Sequence, residues 1–265
     1  MEFGCIASNL VDLQTKPRFD AERASQCFLG EPVKILRESA EYTQVEQIDG
    51  YTGWVRSDLL TRTDRAYFRE FSKSCNFVVA SKSARLFDLR HGRLVEPYLL
   101  YYGTKFCGRS GPGESVKIRL GKSFLFSVKK AHLKPINGSG AASVTGSDLV
   151  AEARKFLGVP YLWGGVTSVG FDCSGLVRTV LSRFNLYVPR DTKDQVFAGE
   201  RVERECIKTG DLLFFKRHVG FAIGDHRLIH ASVGGNGVRI NSLKRTDPDY
   251  REDLAREFAQ ARRII

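Results

Sequence analysis

Through residues 9–62 the apolar positions fall in short runs separated by turn residues. Val33-Lys34-Ile35-Leu36 and Thr43-Gln44-Val45-Glu46-Gln47-Ile48 have the apolar content of strands, Asp49-Gly50 marks a tight turn, and Gly53-Trp54-Val55 and Leu59-Leu60 follow. Residues 75–135 have the same texture in Phe77-Val78-Val79, Ser115-Val116-Lys117-Ile118 and Ser123-Phe124-Leu125-Phe126-Ser127-Val128, broken by Gly and Pro. Two consecutive segments of about 60 residues patterned in this way predict two small all-β barrels, 1–66 and 67–136. Their residues are too dissimilar to establish a repeat.

The texture changes after Asn137-Gly138-Ser139-Gly140-Ala141-Ala142-Ser143-Val144-Thr145-Gly146, a flexible linker (137–146) by composition. Ser147 is placed to cap a helix whose apolar positions Leu149, Val150, Ala153, Phe156 and Leu157 share one face, with Gly158-Val159-Pro160 ending it. A second helix starts at Cys173 and carries Leu176, Val177, Val180, Leu181 and Phe184 at helical spacing. Strands are predicted at Leu212-Leu213-Phe214-Phe215, 217–223 and 228–233. A surface helix is predicted from Pro248 on, with Leu254, Phe258 and Ala261 inward. Helices first and an antiparallel sheet after make 147–265 an α+β domain.

At 265 residues the chain is long enough for two or three domains. A composition of 42% hydrophobic and 27% charged residues is that of a globular protein, which excludes disorder and collagen-like repeats. No apolar run approaches the ~18 residues that a membrane span needs. The net charge of +11 is unevenly spread: residues 1–66 carry −3, residues 67–136 carry +10 and residues 137–265 carry +4. Such a basic middle segment can meet an anionic polymer or ligand, or be a solvated face, and no nucleic-acid-binding signature accompanies it. The six cysteines stand 22, 48, 32, 66 and 33 residues apart, unlike the short paired spacings of a zinc site. They predict free thiols in a reducing compartment and no metal. The first ten residues lack a basic n-region, so the expected location is cytoplasmic, or secreted or periplasmic if a leader has been removed.

One cysteine stands apart. In Gly170-Phe171-Asp172-Cys173-Ser174-Gly175-Leu176, Asp172 can cap the helix, which puts Cys173 in its first turn. Unsatisfied N–H groups and the helix dipole favour an anion there, so the thiol pKa is expected to fall. Gly175 is expected to leave room for a substrate backbone. A cysteine nucleophile needs a base, and histidine is the usual one. His218 and His230 fall on consecutive predicted strands, 12 residues apart. A two-residue turn at 225–226 would pair 221 with 230 and put His218 on the opposite face. A turn with an odd residue count, or one bulge, brings both to one face. Cooperation between these histidines therefore predicts an irregular hairpin. His91, His132 and His226 read as ordinary surface or core side chains.

At these residues the chain resembles the NlpC-type cysteine peptidases that cut bacterial cell-wall peptides. Pro160-Tyr161-Leu162-Trp163-Gly164-Gly165 is similar to that family's opening motif, and Asp172-Cys173-Ser174-Gly175-Leu176 to its nucleophile motif. Pro189-Arg190-Asp191-Thr192 with Gln195, Gly210-Asp211-Leu212-Leu213-Phe214-Phe215, His218-Val219-Gly220 and Leu228-Ile229-His230-Ala231-Ser232 follow in the family's order. The resemblance spans 147–265 and implies a papain-like fold. It implies Cys173 as nucleophile, His218 as base, His230 as the orienting third residue and Tyr161 assisting the oxyanion. By the same resemblance Ser174 binds substrate backbone. Arg190 and Asp191 read instead as a helix start with an internal ion pair.

Gly30-Glu31-Pro32-Val33 and Gly50-Tyr51-Thr52-Gly53-Trp54-Val55 resemble the bacterial SH3-like modules that precede this domain in YkfC-like enzymes. The likeness is best in 9–62 and faint in 67–136. In that subfamily the first module recognises a free N-terminal L-alanine, which implies Glu31, Tyr51 and Asp172 as ligands of the substrate ammonium. The alternative is that Tyr51 and Trp54 are barrel core and Glu31 a turn residue. Together these expectations describe a multidomain protein: two small all-β SH3-like barrels followed by an α+β papain-like cysteine peptidase domain with an antiparallel sheet. The expected reaction is hydrolysis of the γ-D-Glu–diamino acid bond of cell-wall peptides with a free N-terminal L-Ala, in muropeptide recycling. No cofactor is implied, and neither nucleic acid nor membrane as partner. The alternatives are a hydrolase of intact peptidoglycan that uses the SH3-like modules for wall binding, a catalytically silent wall-peptide binding protein, and an acyltransferase or amidase on the same scaffold.

Overall fold

Short strands with alternate residues facing inward build the first of two units, Met1–Asn137 and Gly138–Ile265, into which the computed structural model divides. The structure describes every residue except Met1, Arg90, Gly92, Pro112, Gly121, Lys122, 137–143 and Asp225, so most of the expected linker lies outside the described residues. The first seven strands are β1 (Glu2–Ile6), β2 (Leu10–Gln14), β3 (Arg23–Phe28), β4 (Pro32–Ser39), β5 (Tyr42–Glu46), β6 (Thr52–Arg56) and β7 (Leu60–Thr63). They form one sheet in the order β3-β2-β6-β5-β4-β1-β7. The pattern of residues 9–62 did not foretell β1, which lies inside the sheet with Gly4 opposite both Val33 and Arg62. Buried Phe3, Cys5 and Ile6 explain it: a run apolar on both faces belongs between strands.

Helix α1 (Arg65–Ser74) follows, also unforeseen, with the Asp64 side chain accepting the Tyr67 N–H at 2.8 Å as its cap. Then come β8 (Phe77–Val79), β9 (Ser83–Asp88), β10 (Arg93–Tyr101), β11 (Lys105–Ser110), β12 (Ser115–Leu120), β13 (Ser123–Lys129) and β14 (Leu133–Pro135). Their sheet order is β10-β9-β13-β12-β11-β8-β14. Position by position this is the order of the first sheet, and in both a 3-10 turn, Ser57–Leu59 or Lys130–His132, precedes the last strand. The repeat is thus one of topology. A core asks for apolar residues of suitable volume at inward positions, not for identical ones, so two copies can share a path and little sequence. Leu29, from the β3–β4 loop, packs into the second core against Val79, Leu86 and Leu100. The Tyr67 hydroxyl donates to the Gly30 carbonyl at 2.7 Å, so α1 is tied back to the same loop.

The second unit opens with α2 (Gly146–Arg154), capped by Thr145 and not by Ser147. Thr145 Oγ1 accepts the Asp148 N–H at 3.3 Å while the Asp148 carboxylate accepts the Thr145 N–H at 2.9 Å, a reciprocal capping box. The helix stops at Arg154, which leaves Leu157 42% exposed rather than on the inward face. A small hairpin, β15 (Val166–Thr167) and β16 (Gly170–Phe171), leads into α3 (Cys173–Arg183), and α4 (Thr192–Gln195) follows. The sheet comprises β17 (Glu200–Val202), β18 (Leu212–Phe215), β19 (His218–Gly224), β20 (Arg227–Ser232), β21 (Gly237–Ser242) and, after the short α5 (Glu252–Glu257), β22 (Phe258–Arg263). Its order is β17-β22-β18-β19-β20-β21, every pair antiparallel. The expected C-terminal helix is therefore helical only over Glu252–Glu257 and continues as a strand of equal length. Helical spacing of Leu254, Phe258 and Ala261 is real, but the fully buried β18 needs a ladder partner on its outer edge, and 258–263 supplies it. Arg263 then clamps Asp211 with two hydrogen bonds of 2.8 Å. Among the described residues no helix is long and apolar enough to cross a membrane.

If Leu29 belongs to the second core, Leu29→Ala costs about 2–5 kcal/mol. Amide hydrogen exchange should then quicken in β9 and β13 as well as in β3 and β4; protection lost from β3 and β4 alone would contradict this packing.

Candidate active site

The start of α3 is organised around one carboxylate. Asp172 Oδ1 accepts the Gly175 N–H at 2.6 Å, as an N-cap does, and Oδ2 accepts the Gly164 N–H at 3.0 Å. Arg190, 2% exposed, donates to both oxygens, at 3.1 Å to Oδ1 and 2.6 Å to Oδ2. The Ser174 hydroxyl lies 3.3 Å from Oδ1 and accepts from Arg190 at 3.0 Å. Arg190 thus forms a buried ion pair with Asp172, across the fold. Gln195 donates to the Ser174 carbonyl at 3.1 Å and the Pro189 carbonyl at 2.9 Å, holding the 189–195 segment on the helix.

That segment brings Thr192 Oγ1 to 3.6 Å from Cys173 Sγ. Backbone groups of Val219 and Ser174 also hydrogen-bond the sulfur. Gly175 makes no space for substrate, contrary to expectation. A Cβ there would lie 2.1 Å from the Gly165 carbonyl, so the glycine admits the chain's own backbone. Val219 follows His218, so the sulfur sits against the start of β19.

The hairpin between β19 and β20 is irregular, as cooperation between the histidines requires. Phe221 pairs with Ile229 and Ala222 with Leu228, then the register shifts so that Gly224 pairs with Arg227. Ile223 is the extra residue, and His218 shares a face with His230. Their rings meet edge to face, with His218 Nε2 and His230 Nδ1 2.7 Å apart. Gly220 is the position opposite His230, where a Cβ would approach the His230 Cβ to 2.8 Å. His230 is fully buried, and its Nε2 lies 3.0 Å from Asn241 Oδ1.

Burial dominates the electrostatics. It pushes the Cys173 thiol up, and the Asp172 carboxylate adds to the effect, while Thr192 and the backbone groups of Val219 and Ser174 oppose it. The lowered thiol expected from a helix start is thus overridden by desolvation. Burial, with His230 and Arg251 nearby, pushes His218 down to about 3, and burial likewise lowers His230. Burial, with Cys173 and Asp172 beside it, raises the Tyr161 phenol, which keeps its proton and can donate. A thiolate alone and an imidazolium alone are both disfavoured here; formed together by proton transfer they stabilise each other.

The structure gathers Cys173, His218, His230, Tyr161, Asp172 and Ser174 in the second unit. Five donors already address the Asp172 carboxylate, so a substrate ammonium would compete with them, and the Ser174 hydroxyl is turned to Asp172 and Arg190. Glu31 and Tyr51 lie in the first unit, where both meet Gln47. Gln47 Nε2 donates to Glu31 Oε1 at 2.8 Å and the Gln47 N–H to the Tyr51 carbonyl at 2.8 Å. Glu31 Oε2 also accepts the Phe28 N–H at 3.0 Å, as a turn residue would. Tyr51 packs partly against the first core, and Trp54 is buried. Sequence reasoning passed over Asn241 and the contact of Thr192 with the sulfur. Thr192 stood inside a recognised motif, whereas Asn241 carried no local signal.

Residues 158–256 match the model of the NlpC/P60 family, and residues 13–60 that of the bacterial dipeptidyl-peptidase SH3 domain. The chain is 28% identical over 265 residues to a gamma-D-glutamyl-L-lysine dipeptidyl-peptidase of Bacillus cereus, covering 91% of this chain and 75% of that protein. It is 40% identical over 124 residues to a probable endopeptidase of Haemophilus influenzae, covering 44% of this chain and 73% of the relative. The crystal structure of an NlpC/P60 family protein from Bacillus cereus shares the fold, with a TM-score of 0.84 at 23% identity over 99% of each chain.

The His218 value implies a pH dependence of stability. With a folded pKa of about 3 against an ordinary 6.5, the unfolded chain binds the proton more readily between those values. The neutral imidazole therefore contributes its full stability above pH 6.5 and loses it as the pH falls towards 3. Urea midpoints should drop between pH 7 and 4.5, and drop less in His218→Gln; equal drops would mean His218 is not buried neutral.

Proposed function

Because this chain belongs to the NlpC/P60 family of cysteine peptidases, we propose that Cys173 is the nucleophile and His218 the base of a peptidase acting on peptidoglycan-derived peptides. The observation that carries the reading is the shared face of His218 and His230, 2.7 Å apart, with the backbone of Val219, next in sequence to His218, bonded to the sulfur in the first turn of α3. The thiol proton passes to His218 as the sulfur attacks the amide carbonyl carbon, and the carbonyl electron pair becomes an oxyanion. First-turn N–H groups of α3 and the protonated Tyr161 hydroxyl are donors of the kind that stabilise it. Collapse breaks the C–N bond, His218 returns the proton to the leaving amine, and water hydrolyses the thioester to regenerate the thiol.

The bond we assign is that between γ-D-glutamate and a diamino acid, in peptides with a free N-terminal L-alanine. The relative of Bacillus cereus and one of Bacillus subtilis, both named gamma-D-glutamyl-L-lysine dipeptidyl-peptidase, support the choice of bond. In this reading Glu31 and Tyr51 take the substrate ammonium, with Gln47 steadying the carboxylate, and Asp172 acts mainly through Arg190 and the α3 cap. Residues 67–136 form a second SH3-like module, a reading supported by the repeated strand order. A cytoplasmic recycling role completes the reading: the wide spacing of the six cysteines suits a reducing compartment.

The test is incubation with L-Ala-γ-D-Glu-diamino acid tripeptide and its N-acylated form, with products read by mass spectrometry. The wild type should release L-Ala-γ-D-Glu from the free-amine peptide, and Cys173→Ala should release none. Glu31→Ala should raise KM for the free-amine peptide by about tenfold or more, the worth of a charge-assisted hydrogen bond. Equal cleavage of the acylated peptide would remove the ammonium gate and point to intact wall as substrate.

A further inference from the structure

Asn241 on β21 ends the line of hydrogen bonds that begins at His218, and its own surroundings decide how that line is polarised. Its Nδ2 donates to the Asp249 carbonyl at 3.1 Å. A backbone carbonyl can only accept, so the amide atom facing it is nitrogen and the atom facing His230 Nε2, 3.0 Å away, is oxygen. An oxygen there requires Nε2 to carry the proton. In neutral His230 the bare nitrogen is then Nδ1, which accepts from His218 Nε2–H across 2.7 Å. Neutral His218 is left with its lone pair on Nδ1, the one nitrogen that can take the thiol proton.

The anchor is rigid. The Asp249 carbonyl also accepts the Ser242 N–H at 3.1 Å, and the Arg251 N–H donates to the Ser242 carbonyl at 2.9 Å. The Asp249 carboxylate pairs with Arg227 on β20. The 249–251 segment is thereby stitched to the end of β21, and Asn241 cannot turn its amide over without losing the Asp249 bond.

We propose that Asn241 is a positioning residue for the reaction: by accepting from His230 Nε2–H it sets the tautomer of both histidines and so presents His218 Nδ1 to the Cys173 thiol. This rests on the reading of Cys173 as nucleophile and His218 as base. The charged and titratable groups that face the pair are Arg251, at the start of α5, and Asp253 within it, with Cys173 on α3 bonded to the backbone of Val219, the residue after His218, and Arg239 the cross-strand neighbour of His230. In place of Asn241 an aspartate would still accept from Nε2, and its charge would favour doubly protonated His230. That form has no bare Nδ1, so His218 loses its acceptor.

The test needs no substrate. Iodoacetamide alkylates a thiolate, forming the S–C bond and releasing iodide, so its rate at Cys173 reads proton transfer to His218. Exposed Cys206, followed in the same digest by mass spectrometry, is the internal control. Asn241→Leu should slow Cys173 alkylation by about tenfold or more and leave Cys206 unchanged, as loss of a tautomer-setting partner does elsewhere. Asn241→Asp should restore the rate at high pH and move the acidic limb of its pH profile upward. Wild-type rates in a folded Asn241→Leu, or an unmoved limb in Asn241→Asp, would overturn the proposal. If Asn241→Leu fails to fold, the limb of Asn241→Asp decides alone. Were His218→Gln to alkylate as fast as the wild type, the parent reading of His218 as base would fail instead, and Asn241 with it.

Discussion

Side chains on neighbouring antiparallel strands share a face only when the register between them has the right parity, and between β19 and β20 one extra residue, Ile223, sets it. A regular hairpin would put Phe221 opposite His230 and turn His218 to the other side of the sheet. With the bulge, Gly220 lies opposite His230, and its missing side chain leaves the space that His230 occupies. The proposed nucleophile, Cys173, depends on an equally local device. Asp172 caps α3 and thereby fixes where its first turn begins, and Arg190 pairs with that carboxylate in a nearly solvent-free position. Removing Arg190 would leave the buried Asp172 carboxylate without its cation, a costly arrangement.

Burial then decides the chemistry. In a site this dry neither a thiolate nor an imidazolium is favoured alone, so protons move along the hydrogen-bonded line rather than out to water. The line has a direction because its far end is a backbone carbonyl, a group with no alternative protonation state. Asn241 passes that constraint to His230, and His230 passes it to His218.

Much of this was legible in the residues. Asp172 ahead of Cys173 read as a cap, the spacing of His218 and His230 required an irregular hairpin, and both are present. Gly175 was misread because a glycine signals close approach without saying what approaches; here it is the Gly165 carbonyl. The fall expected for the Cys173 thiol follows from local helix geometry, but desolvation is set by the whole fold and is absent from a seven-residue window. The 258–263 strand was missed for a similar reason: pairing with β18 is non-local, while the apolar spacing that suggests a helix is local. Helix α1 carries ordinary start signals in Asp64 and the Tyr67–Phe71 pair. The repeat of strand order had no counterpart in residue identity.

The claim on which the rest turns is that both histidines are neutral at rest and share one tautomer. Ring-nitrogen NMR of histidine-labelled protein at neutral pH, assigned with His218→Gln, measures it directly. The account predicts, for both His218 and His230, a protonated pyrrole-like Nε2 and a bare imine-like Nδ1. A protonated Nδ1 on either ring would contradict it.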